Sequence, residues 1–152
     1  MAVLTREAAA ARGDELALAD DDDTRTWAQL DIRVNRLVHA LRDAGLGLGD
    51  TISVVAGNRN EWFEVALACS HAGVVFVPVS WHLVAPELAY IIEDSGSRAV
   101  LVGHRFTDVA AEALADPRSS AVELAVAIGA PGDTRFADFE AFLGSGSDDE
   151  PK

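Results

Sequence analysis

From Thr26 to Val102 the chain alternates two hydrophobic rhythms, segments of helical period and short unbroken apolar runs, and a chain so patterned is confined to strands joined by crossover helices. Trp27, Leu30, Val34, Leu37, Val38 and Leu41 recur at helical spacing, with Asp31, Arg33, Arg36, Arg42 and Asp43 between them facing water. Thr26 and Gln29 have the spacing of a capping box, and Gly45 is placed to end this helix. The run TISVV (51–55) reads as a strand, followed by a helix from about Asn60 to Ala72 with Phe63, Ala66, Leu67 and Ser70 on one side and Gly73 as its stop. VVFVPV (74–79) is apolar on both faces, as a strand covered by two helical layers must be. Pro78 belongs near its end, because proline cannot donate to a ladder. A helix opening near Pro86 carries Leu88, Ile91 and Ile92 inward, and the strand RAVLV follows. Then come a helix over 107–115, the strand ELAVAI and a short helix FADFEAFL (136–143).

This order predicts the α/β class, with a mainly parallel sheet whose strands are linked by crossover helices. The βα repeats run over 26–143. Upstream, ELALAD and TRTW flank Asp21, Asp22 and Asp23 and read as an antiparallel hairpin at about 15–27 with an acidic turn. Residues 144–152, GSGSDDEPK, have the composition of a flexible acidic tail or linker.

With 152 residues, about half of them apolar, the chain suits one core and one domain. Its formal charge of -13 argues against nucleic acid as a partner, since gripping phosphates takes clustered Lys and Arg. Lys152 is the only lysine. No apolar run nears the ~20 residues of a transmembrane helix, and the first residues lack a leader's basic and apolar regions. The single cysteine, Cys69, leaves no intrachain disulfide, and a cytoplasmic protein is expected.

Most motifs that invite a chemical reading resolve into local structure. Gly45, Gly47 and Gly49 close a helix and lead into a strand, the reverse of a dinucleotide loop, so they read as a cap and turn. Asp20 to Asp23 lack the alternation and bidentate Glu of a calcium loop and read as a solvated turn. His39, His71, His82 and His104 are scattered, and Cys69 and His71 point to different sides of one helix, so no metal site is expected. No serine stands in a nucleophile elbow; Ser145 and Ser147 belong to the tail.

Taken in succession, the segments resemble the start of the adenylate-forming superfamily, which includes acyl-CoA synthetases. TWAQLDIRVNRLVHALRDAGLGLGD is similar to its opening signature. TISVVAGNRNEWFEVALACSHAGVVFVPVSWHL is similar to the next strand, helix and strand ending V-P, and APELAYIIEDSGSRAVLVG to the segment after them. The resemblance runs from about Leu4 to the C-terminus, is strongest over Thr26–Gly103, and in the SWHL loop is closest to bacterial fatty-acyl-CoA synthetases.

What the resemblance implies is the N-terminal subdomain of the adenylate-forming fold, truncated before the phosphate loop. The full-length enzyme would use ATP, Mg2+ and CoA: an acyl carboxylate attacks the α-phosphate, pyrophosphate leaves, and the CoA thiol then displaces AMP. The phosphate loop, the adenine and ribose motifs and the catalytic lysine would lie downstream, so no catalytic residue, no tightly bound cofactor and no activity are expected of this piece alone. Its partner would be the remainder of the ligase, or a complete ligase subunit, with a small acyl substrate. The alternative is a stand-alone CoA-binding or partner-binding module. His82 occupies the place where some members carry an arginine near the CoA nucleotide, and Trp81 beside it offers an adenine-stacking face; the plainer reading has Trp81 anchoring its loop and His82 solvated. Ser80 and Val84 depart from the family's usual asparagine and helix-capping threonine.

Overall fold

The computed structural model describes residues 2–129 and 134–152, with side chains from Thr5 onward. The described elements are α1 (Ala2–Arg12), β1 (Leu16–Ala19), β2 (Thr24–Thr26), α2 (Trp27–Asp43), β3 (Thr51–Val55), α3 (Asn60–Ala72), β4 (Val75–Val79), α4 (Ala85–Ser95), β5 (Ser97–Gly103), α5 (Thr107–Leu114), β6 (Leu124–Ile128), β7 (Ala137–Asp138) and α6 (Phe139–Gly144). β1 and β2 pair antiparallel, and the other five strands form a parallel sheet in the order β4-β3-β5-β6-β7.

Side-chain alternation along these strands sorts the core into two layers. Ile52, Val54, Leu101, Val126 and Ile128 pack with Leu30, Val34, Leu37, Val38 and Leu41 of α2, Val65 and Cys69 of α3 and Phe139 of α6. Val55, Val100, Val102 and Ala127 point the other way, onto Leu88 and Ile92 of α4 and Ala110 and Ala111 of α5. Both faces are therefore covered, as the unbroken apolar runs require. Burial holds the Cys69 thiol up at about 12, so it is an inert core residue.

The punctuation is local chemistry. Thr26 Oγ1 accepts from the Gln29 N–H at 3.3 Å and Gln29 Oε1 accepts from the Thr26 N–H at 2.9 Å, the reciprocal box read from sequence. Gly73 caps α3 in the left-handed region, with φ 75. At α4 the departure at Val84 is visible: its N–H donates to Glu87 Oε2 at 3.1 Å, but a valine side chain offers no oxygen to return the bond.

Several expectations are corrected. α1 lacks a distinctive apolar stripe and was not foreseen. The inward side of α3 carries Glu64, Val65, Ala68 and Cys69, whereas Phe63 and Ser70 are exposed. The helix expected to open near Pro86 does so at Ala85, with Pro86 its second residue. The last helix begins at Phe139, because Ala137 and Asp138 pair with β6 and Asp138 Oδ1 caps the helix by accepting from the Ala141 N–H at 2.8 Å.

Residues 144–152, read from composition as a flexible acidic tail or linker, lie along α2. Arg36 Nη2 donates to Asp148 Oδ2 at 3.1 Å, His39 Nε2 meets the Asp149 carbonyl at 3.0 Å and Arg42 Nη1 donates to the Lys152 carbonyl at 3.0 Å. Arg6 of α1 pairs with Glu150, and Pro151 is buried. Carboxylates that favour water also fit a basic helix face, which composition alone does not reveal.

Candidate functional site

The strand order reverses at β3. The chain moves from β3 to β4 on one side, then crosses through α4 to β5 on the other, so the loops leaving the C-terminal ends of β3 and β5 diverge. Open parallel sheets bind ligands in the crevice such a reversal leaves. Here it measures about 230 Å³, with Gly57, Asn58 and Arg59 on one wall, His104, Arg105 and Phe106 on another, and the hairpin's aspartates across the mouth.

The loop after β4 opens at the same end. Trp81 stacks on Phe106, ring centroids 5.7 Å apart at 27°, and His82 stacks on Trp81 at 3.5 Å and 28°. Trp81 is 47% exposed and His82 is exposed, with its backbone N–H 3.4 Å from Ser80 Oγ. The two residues singled out in the sequence thus form an aromatic shelf continuous with a crevice wall. Trp81 is thus anchored on Phe106, with the exposed His82 lying over it.

The N-terminus of α3, where a phosphate would meet unpaired backbone donors, is already occupied. Arg59 precedes the helix without a side-chain cap, and Asp20 takes that role from about 40 residues away, its Oδ2 accepting from the Asn60 N–H at 2.8 Å. Asp20 Oδ1 accepts from the N–H groups of Asp22 and Asp23 at 2.9 and 2.8 Å, closing the turn, and Asn60 Nδ2 donates to the Asp23 carbonyl at 3.0 Å. The Asn60 hydrogen bond, first among several, holds the Asp20 carboxyl below its ordinary range. Asp21, Asp22 and Asp23 form the exposed turn expected, and Asp20 adds a structural clamp onto α3.

Neighbouring cations are likewise committed. Fully buried Glu64 accepts at Oε1 from Arg25 Nε at 3.0 Å and Arg33 Nε at 2.7 Å, and Arg33 forks onto Glu140 at 2.9 and 2.6 Å. Burial alone would lower the Arg33 pKa, but its hydrogen bonds to Glu140 and Glu64 raise it. Arg59 is held by Glu61 at 2.7 and 3.0 Å. Arg25, Arg33, Arg36 and Arg59 line a groove of about 650 Å³, and each of the four faces a carboxylate, Arg36 that of Asp148. Among the described residues no three His, Cys, Asp or Glu side chains converge as metal ligands. Asp20 and Asp23 already accept from N–H groups, so this donor set does not fit a magnesium ion.

A parallel sheet with a switch-point crevice is shared by many families, and one sequence pattern decides among them: that described as AMP-binding enzyme matches residues 5–148. The chain belongs to the AMP-binding enzyme family. A medium/long-chain-fatty-acid--CoA/3-oxocholest-4-en-26-oate--CoA ligase of Mycobacterium marinum is 31% identical over 152 residues, all of this chain and 28% of that protein. The fatty acid--[acyl-carrier-protein] ligase ScoC of Streptomyces coeruleorubidus is 37% identical over 101 residues, 66% of this chain and 20% of that protein. Among solved structures, a Mycobacterium tuberculosis fatty acyl CoA synthetase superposes with a TM-score of 0.86 at 25% identity, over 99% of this chain and 29% of that one. An anthranilate CoA ligase shares the fold at a TM-score of 0.91 and 20% identity, over 99% of this chain and 29% of that one. This AMP-binding segment therefore spans roughly a quarter of the relatives' length, and no described helix is long and apolar enough to cross a membrane.

Sequence reasoning missed Asp20 and Phe106 as site residues. Phe106 carries a weak signal, an aromatic just after a strand that ends in glycine. Asp20 carries none, because its partner is brought to it only by the fold.

Proposed function

We propose that this chain is the N-terminal wall of an ATP-dependent acyl-CoA synthetase, inactive by itself, whose Trp81–His82 shelf meets the nucleotide of CoA. The observation that carries this reading is the family match over 5–148 with relatives that are acyl-CoA and acyl-carrier-protein ligases more than three times as long. The chemistry agrees. Adenylating a carboxylate gathers donors and cations around developing phosphate charge. In this segment the α3 N-terminus is filled by Asp20 and the groove arginines face carboxylates. ATP, Mg2+ and acyl acid would be held by the longer polypeptide. The shelf instead offers a nucleotide an exposed imidazole, that of His82, backed by the indole of Trp81 on which it stacks.

The test uses the ligase carrying this segment. His82→Glu places a carboxylate against CoA phosphates, and the expected outcome is a KM for CoA raised about tenfold, a loss of about 1.4 kcal/mol, with the KM for ATP unchanged. An unchanged KM for CoA, or equal rises for both substrates, contradicts the assignment. The second reading, a stand-alone CoA-binding module, is favoured by shelf and crevice lying wholly within this chain. Saturable heat on calorimetric titration of the 152-residue chain with CoA would select it.

A further inference from the structure

The edge of β4 is built to be covered, but not by another strand. The Val75 N–H donates to the Asp50 carbonyl at 2.7 Å, and in a parallel ladder alternate residues of a strand face the same neighbour. Val75, Val77 and Val79 therefore face β3, and Phe76 and Pro78 turn their backbones to the free edge. Pro78 has no N–H, so Phe76 supplies the only donor of that pair where an added strand needs two.

The same edge is apolar. Its sequence, VFVPV, has none of the charges that usually guard an exposed strand. Val75 is 49% exposed, Leu48 91% and Phe63 48%. Leu48 lies over Gly73, two residues before Val75, with Cδ1 2.8 Å from where a Cβ would stand there, and Phe63 meets Trp62 edge-on at 5.1 Å, as Trp62 meets Phe76 at 4.9 Å. Exposed apolar side chains gathered along an uncharged free strand edge mark an interaction surface.

We infer that Leu48, Phe63, Val75 and Phe76, along the proline-blocked edge of β4, form the seam on which apolar side chains of a non-strand segment from the rest of the ligase polypeptide pack. The occupant follows from length: all 152 residues match only 28% of the Mycobacterium marinum relative, leaving most of such an enzyme to be placed around this piece. The inference rests on the reading of the chain as part of a longer ligase.

Cys69 is buried and gives little labelling background. The variants Leu48→Cys and Val75→Cys, with Ser120→Cys as an exposed control, are reacted with a maleimide both as the 152-residue chain and within the longer ligase. Labelling at positions 48 and 75 is expected to slow about tenfold or more in the longer protein, because thiol reactivity follows access, with position 120 unchanged. Equal rates in both proteins overturn the inference. So does protection of the 152-residue chain that grows with its own concentration, which assigns the seam to a second copy. Hydrogen exchange at the Phe76 amide checks the form of the occupant: a backbone hydrogen bond formed there together with ladder-like protection of the facing segment means a paired strand and overturns the inference. Acyl-dependent exchange by the longer protein is scored separately, so an active ligase with an open seam refutes this inference alone, and a covered seam without activity refutes the ligase reading alone.

Discussion

Asp20 shows how much one side chain can hold. Its two carboxylate oxygens join the hairpin turn to the start of α3, satisfying N–H groups at Asp22, Asp23 and Asn60. Asp20→Ala removes a helix cap and is expected to lower stability by about 1 kcal/mol, read as a lower urea midpoint with unchanged slope. The pH dependence has a definite sign. The folded pKa lies below the ordinary aspartate value, so the contribution of Asp20 is complete above about pH 3.9 and is lost as pH falls through the folded value. The gap between wild type and Asp20→Ala should hold constant from about pH 5 to 7 and close in acid; a gap that widens in acid contradicts this. Nothing in the local sequence signals the role, since Asp20 sits in a run of four similar residues and its partner is remote in the chain. Trp81 and His82 were singled out only through family resemblance, and the stack of His82 on Trp81 and of Trp81 on Phe106 emerges only with the fold.

At the scale of elements, hydrophobic rhythm carried most of the information. The strands β3 to β6 and the helices α2 to α5 follow from it, because each buries a stripe or a face that the sequence displays. Where the rhythm is weak the reading failed. α3 mixes apolar residues on two sides, Phe63 on the exposed seam and Val65 and Cys69 in the core, so period alone did not choose the inward face. α1 has many alanines and little contrast, and the tail is fixed by ion pairs and backbone hydrogen bonds rather than by apolar pattern. The start of α4 offers a direct check on local chemistry. Val84 is 58% exposed and stands at the N-cap with only the Glu87 half of a box, so Val84→Thr supplies the missing oxygen without opening a cavity. A gain of about 0.5–1 kcal/mol in urea unfolding is expected; a loss would mean that the valine methyls contribute more than the cap.

For the whole molecule, the parallel sheet with helices on both faces was legible because it depends on element order, which the sequence states directly. The switch-point crevice is a consequence of strand order, which the sequence does not state. The filled α3 N-terminus, the paired arginines and the apolar β4 edge are the features on which the proposed role, a supporting wall of an acyl-CoA synthetase, rests. Acyl-dependent ATP–pyrophosphate exchange by the purified 152-residue chain tests this most directly. The account predicts a rate indistinguishable from a protein-free blank with any acyl acid; exchange above that blank that scales with the amount of chain would contradict it.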